Sequence, residues 1–367
     1  MFEDIEKILN TKKIRYDYMN ELFRKFRKAF IPNSTINIFI DIPSTVKQLY
    51  NPENIKGLSG TINKKDKYII ASTILNMIGH YRHYFATRYQ CYTNIVFMYN
   101  SKIDSKIKND IDPDYKKTYY EKRFLLENPI FADLNLILKD NYKIMKSIID
   151  FLPHCYFIDS TYRDYRCIFP FMIEQEEFED NINIIITTDK LMYQNMLIGE
   201  TIILQPKGDR SNVLTSNYII SEVAGNSKTI QNNPDYLTIN PENILLIESM
   251  INHKDLDTTG IRNFSYLKAI TFLNKNDIDI NNIVINPDSL NEIFKGLLTK
   301  DELDKVKTNF KIYNNFYLSK SYEKDLEVMY TSSNKFIEDY DELRKTNEVF
   351  FTKHPLNLDF YFNGEVD

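Results

Sequence analysis

An open α/β fold, a mostly parallel central sheet flanked by helices, is the class that this 367-residue chain predicts. Three observations carry it. Short apolar runs take turns with amphipathic stretches in a strand, helix, strand rhythm. The runs lack the polar alternation of a half-solvated sheet, so they read as strands buried on both faces. Finally, 43% apolar content is enough for real cores in about two domains.

Taken in order, residues 1–35 form an N-terminal helical segment. Ile5, Ile8, Leu9, Met19, Leu22, Phe23, Phe26 and Phe30 recur there at helical spacing and stop at Pro32-Asn33-Ser34. Ile36-Asn-Ile-Phe-Ile-Asp41 opens an α/β domain over 36–235 as a strand ending in an acid, and a long helix over 66–90 leads to a second strand at 94–99. The stretch 101–128 turns polar and Lys-rich and is expected to be exposed, either mobile or ordered by a partner. Helical patterning resumes to Phe151. A strand at 154–159, a helix at 162–177 and a strand at 182–187 follow, then short strand-like pieces over 200–235. A helical module spans 236–298, a charged helical extension 299–347, and an aromatic, extended tail 348–367.

Composition narrows the function. With 46 basic and 51 acidic side chains the net charge is −5, which excludes a globally basic nucleic-acid coat but leaves local patches open. The abundance of Lys, Asn, Tyr and Ile is the output of an AT-rich genome, as in many phages, so a single Lys or Tyr carries little information by itself. No phosphate-cradling Gly-rich motif is present. Cys91, Cys155 and Cys167 are too scattered for a disulfide framework or a CxxC metal site. The acidic N-terminus lacks the charge of a signal peptide, and no apolar run is long enough to span a membrane. The expected location is cytoplasmic, in an infected host cell if the protein is phage-encoded.

Two acids stand at strand ends: Asp41, and Asp189 after Ile184-Ile-Ile-Thr-Thr. Neighbouring carboxylates so placed can hold the divalent ions of a two-metal nuclease, with Asp41 and Asp189 as catalytic and metal-ligating candidates. The same pattern also arises when an Asp simply caps the turn or helix that follows a strand.

The order of features resembles the 5′ nuclease family, the flap endonucleases and phage ribonuclease H type exonucleases within the PIN-like fold. Thr187-Thr-Asp-Lys-Leu-Met-Tyr-Gln194 is similar to the family's Ser-Ser-Asp-Lys-Asp-Leu-x-Gln. Pro241-Glu-Asn-Ile-Leu-Leu, Asp255-Leu-Asp-Thr-Thr-Gly-Ile261 and Tyr266-Leu-Lys-Ala-Ile270 resemble its helix-three-turn-helix, which holds duplex DNA by the phosphates. Asp114-Tyr-Lys-Lys117 is similar to a motif of the arch that handles single-stranded flaps, which makes 101–128 an arch segment. The resemblance implies Mg²⁺ as cofactor if the protein is active. It also implies single-stranded or branched DNA as partner, with Lys116, Lys117, Arg262 and Lys268 as DNA-binding candidates.

The departures from the family are many. The second strand ends in Tyr99-Asn100 instead of an Asp. The family's Glu-Ala-Asp-Asp falls on Arg163-Asp-Tyr-Arg166, and the second acid of Ser-Ser-Asp-Lys-Asp is Leu191. Asn100, Arg163, Arg166 and Leu191 are therefore degenerate positions, with Asp164, Asp255 and Asp257 as nearby replacement acids. An Arg about 4 Å from a divalent ion would repel it by roughly 8 kcal/mol at an effective dielectric of 20. Arg163 or Arg166 is expected to pair with Asp41 and Asp189 instead. Three readings follow: a DNA-binding relative in replication or repair with catalysis lost or altered, an active structure-specific 5′ nuclease, or a structural subunit retaining only the fold. The tail Leu356-Asn-Leu-Asp-Phe-Tyr-Phe-Asn-Gly364 resembles the peptide by which phage proteins dock on a sliding clamp, through Leu358, Asp359, Phe360 and Phe362. It reads equally well as a final strand of the protein's own sheet.

Overall fold

The computed structural model describes residues 31–49, 68–99, 106–115, 141–160, 164–198, 200–207, 210–213, 243–253, 258–278, 287–333, 344–345 and 347–353. Its centre is a sheet in the order β3-β2-β1-β4-β5-β6. The strands are β1 (Thr35–Asp41), β2 (Tyr92–Tyr99), β3 (Cys155–Asp159), β4 (Ile182–Ile186), β5 (Thr201–Lys207) and β6 (Arg210–Val213). The first five pair in parallel and β6 returns antiparallel on β5. This is the α/β architecture that the sequence predicts.

The apolar runs are continuous because each face has its own core. Ile36, Ile38 and Ile40 of β1 point to one face, where Ile74, Ile78 and Phe85 of the helix Ile69–Tyr89 and Met145 and Ile149 of a helix over 141–149 cover them. Phe39 points to the other face, as do Val96 and Met98 of β2, Ile185 of β4 and Ile203 of β5. That second core continues without a break into the helices Ile244–Met250, Tyr266–Lys275, Lys300–Tyr313 and Asn315–Ser333.

At the N-terminal ends of the strands, three buried asparagines lie in register across β2, β1 and β4: Asn94, Asn37 and Asn183. Asn94 Nδ2 donates to Asn37 Oδ1 at 3.1 Å, and Asn37 Nδ2 to Asn183 Oδ1 at 2.9 Å. The same amides donate to the Glu177 and Phe178 carbonyls, at 3.1 and 2.9 Å. Those bonds correct the helix expected over 162–177. It is instead a 3₁₀ turn, Tyr165–Cys167, and a short helix, Ile168–Met172, because the amides draw the following carbonyls into turns. The run of acids at 174–180 also opposes a helix C-terminus.

Two more expectations need correction. The described part of the polar segment, 106–115, is not simply exposed: Lys108 is 3% and Tyr115 2% exposed, and its helix Lys106–Ile111 packs against Lys300–Tyr313. The start of the tail is helical over Glu348–Lys353 because Phe350 inserts into the core of the first face. No described helix is long and apolar enough to cross a membrane.

Candidate functional site at the strand ends

β1 is flanked by β2 on one side and β4 on the other, so the order in which successive parallel strands are added reverses between β1 and β4. A crevice at the carboxyl ends of the strands is expected at such a point. Asp41 ends β1, and Asp189 follows β4 by three residues.

Asp41, Asp164 and Asp189 share one division of labour. Oδ1 caps a backbone: that of Asp41 accepts from Ser44 N at 2.9 Å, that of Asp164 from Arg166 N at 3.1 Å, and that of Asp189 from Leu191 N at 3.0 Å. Oδ2 joins the pocket. The Tyr165 hydroxyl donates to Asp189 Oδ2 at 2.7 Å and lies 3.2 Å from Asp41 Oδ2, so one phenol bridges the two strand-end acids. Arg166 Nε donates to Asp189 Oδ2 at 2.7 Å, and its Nη1 lies 3.3 Å from Asp164 Oδ2. Lys108 Nζ, from the helix Lys106–Ile111, also pairs with Asp164 Oδ2. Ser44 Oγ and Thr187 Oγ1 each donate to Asp41 Oδ2 at 2.5 Å, and Thr187 Oγ1 accepts from Asp189 N at 3.0 Å.

The electrostatics follow from burial and these partners. Asp41 is fully buried; desolvation pushes its pKa up to about 6 against the lowering effect of its Ser44 and Thr187 hydrogen bonds. Burial would raise Asp164 too, but Arg166 and Lys108 hold it well below the ordinary carboxylate range. Burial opposes the charge on Lys108 and Arg166, yet the facing carboxylates keep both raised. Tyr165 keeps its proton because burial and the charges of Asp189 and Asp41 push its pKa far up.

The remaining candidates divide clearly. Arg166 pairs with Asp189, as expected, and with Asp164, while among the described residues Asp41 is held by Tyr165, Ser44 and Thr187 and not by Arg166. Leu191 is buried in the core of the second face. Arg262 and Lys268 are exposed beside the N-terminus of Tyr266–Lys275, where Ser265 Oγ accepts from Lys268 N at 3.4 Å. Asn100, Arg163, Lys116, Lys117, Asp255, Asp257, Leu358, Asp359, Phe360 and Phe362 lie outside the described residues. Sequence reasoning passed over Tyr165 and Lys108. Tyr165 had one signal: it falls on the first Asp of the family's Glu-Ala-Asp-Asp. Lys108 had none.

Mg²⁺, which the family resemblance implies, does not fit this donor set. Each Oδ2 facing the pocket already accepts from a hydroxyl or a cationic side chain, and Arg166 and Lys108 bring positive charge where an ion would need negative. Among the described residues no group of three or more His, Cys, Asp or Glu side chains is arranged to hold a metal.

This architecture, five parallel strands in the order 3-2-1-4-5 with acids at the β1 and β4 ends, is the PIN-like fold of the 5′ nucleases. Two solved structures share it at low identity. A bacteriophage T5 flap endonuclease, in a pseudo-enzyme-product complex with DNA and metal ions, has a TM-score of 0.51 at 11% identity, covering 81% of this chain and 99% of that one. A T5 5′-exonuclease with bound zinc ions has a TM-score of 0.50 at 12% identity, covering 86% and 98%. The sequence matches no protein-family model and no curated protein.

Proposed function

We propose that this protein binds single-stranded or branched DNA in replication or repair and has lost two-metal cleavage. One observation carries the reading: Tyr165 and Arg166, at positions where the family has acids, are bonded to Asp189, and Tyr165 also reaches Asp41. The fold supports DNA as the ligand, since the T5 structure of the same fold is a complex with DNA. Exposed Arg262 and Lys268 at the helical module supply phosphate contacts, with Lys116 and Lys117 assigned the same role from sequence. The composition and the likeness to phage proteins support a phage origin, and the Leu358 to Phe362 peptide supports docking on a sliding clamp.

The test is incubation of the full chain with 5′-flap, nicked and single-stranded DNA in Mg²⁺ or Mn²⁺, together with a binding titration at physiological salt. The expected outcome is retention of branched DNA without cleavage. Metal-dependent turnover that a folded Asp189→Ala variant abolishes would refute the reading in favour of an active nuclease. Failure to bind any of the three substrates would leave a structural subunit.

A further inference from the structure

We infer that this protein holds DNA without a divalent cation, because Lys108 and Arg166 are the resident cations of its strand-end pocket. The inference rests on the DNA-binding reading above. Asp41, Asp164 and Asp189 bring three formal negative charges to one buried cluster at the strand ends, their Oδ2 atoms joined through Tyr165, Arg166 and Lys108. Carboxylates so gathered repel an approaching phosphate unless cations offset them. Here the offset is covalently part of the chain. Lys108 Nζ and Arg166 Nη1 share Asp164 Oδ2, while Arg166 Nε takes Asp189 Oδ2 at 2.7 Å.

The side chains of Lys108 and Arg166 are 4% and 14% exposed, so bulk salt screens them poorly. Lys108 has a second consequence. It stands on the helix Lys106–Ile111, with its ammonium 5.3 Å from the Tyr115 ring centre, and Tyr115 is buried in the second core. The pairing that neutralises Asp164 therefore also ties segment 106–115 to the strand ends.

The experiment is a fluorescence-anisotropy titration of 5′-flap DNA with the full chain, in EDTA and in Ca²⁺ at matched ionic strength. The natural chain is expected to bind equally well, within about twofold, in both. Arg166→Gln is expected to bind roughly five- to tenfold more weakly in EDTA and to recover in Ca²⁺, as one lost cation beside a phosphate predicts. Arg166→Lys, which keeps the charge, is expected to bind in EDTA like the natural chain. Should Arg166→Gln fail to fold, Lys108→Gln provides the same comparison. Binding by the natural chain only in Ca²⁺ would overturn this inference alone, as would unchanged binding of the folded Gln variants in EDTA. No binding in either buffer would sink the DNA-binding reading, and this inference with it.

Discussion

Asp164 is the residue whose removal tests the ion network most directly. Its side chain is 9% exposed and faces both Lys108 and Arg166. Asp164→Asn keeps the shape and an oxygen to cap Arg166 N, but it removes the charge that compensates two buried cations. Breaking a buried ion pair from one side costs about 3–5 kcal/mol, chiefly because the partner charge is left in low dielectric. Urea unfolding followed by circular dichroism should show a loss of that size at neutral pH. The sign with pH follows from Asp164 being depressed in the folded state. Its contribution is present above the unfolded value of 3.8 and is lost only as pH falls through the lower folded value. The deficit of the variant should therefore be flat from about pH 5 to 8 and close only in stronger acid. A cycle with Lys108→Met should give a coupling above about 1 kcal/mol, since the two side chains touch. A loss under about 1 kcal/mol, or no coupling to Lys108, would show that the network is an exposed pairing of little consequence.

Asp41 should behave in the opposite sense, since its folded pKa of about 6 lies above the unfolded 3.8; the stability it contributes is full below the unfolded value and lost as pH rises through 6. The span is about 3 kcal/mol, and Asp41→Asn should remove that part of the pH dependence; equal slopes in variant and natural chain between about pH 4 and 7 would contradict the assignment. Gly260 has no room for a Cβ, which would stand 2.4 Å from Met250 O. Gly260→Ala should cost about 2–3 kcal/mol and loosen the stretch 258–265 in hydrogen exchange ahead of the sheet, and an unperturbed melting temperature would argue against that packing.

Much of the sheet could be read from residues because its strands have local signatures. Ile36, Ile38 and Ile40 serve one core while Phe39 serves the other, and only a strand buried on both sides needs such a run. The helix expected over 162–177 could not be read correctly, since its early end is imposed by Asn37 and Asn94, distant in sequence. The bonding roles of Tyr165 and Lys108 could not be read from sequence for a related reason. Each is a common residue in this composition, and each acquires meaning from a partner, 124 positions away for Tyr165 with Asp41 and 56 for Lys108 with Asp164.

The acids themselves were legible, yet their presence does not decide between capping and metal binding. One oxygen of each caps a backbone and the other faces the pocket, so both readings are satisfied by the same residue. A cap is worth about 1 kcal/mol, enough to favour Asp at a strand end whether or not any catalysis depends on it. What discriminates is the partner of the second oxygen. A catalytic pair would leave Oδ2 open toward an ion. In this protein Oδ2 of Asp189 accepts from a phenol and a guanidinium, that of Asp164 from an ammonium, and that of Asp41 from two hydroxyls at 2.5 Å. Sequence motifs built on the acids alone therefore overstate the case for a nuclease, because the local backbone would select the same acids without it.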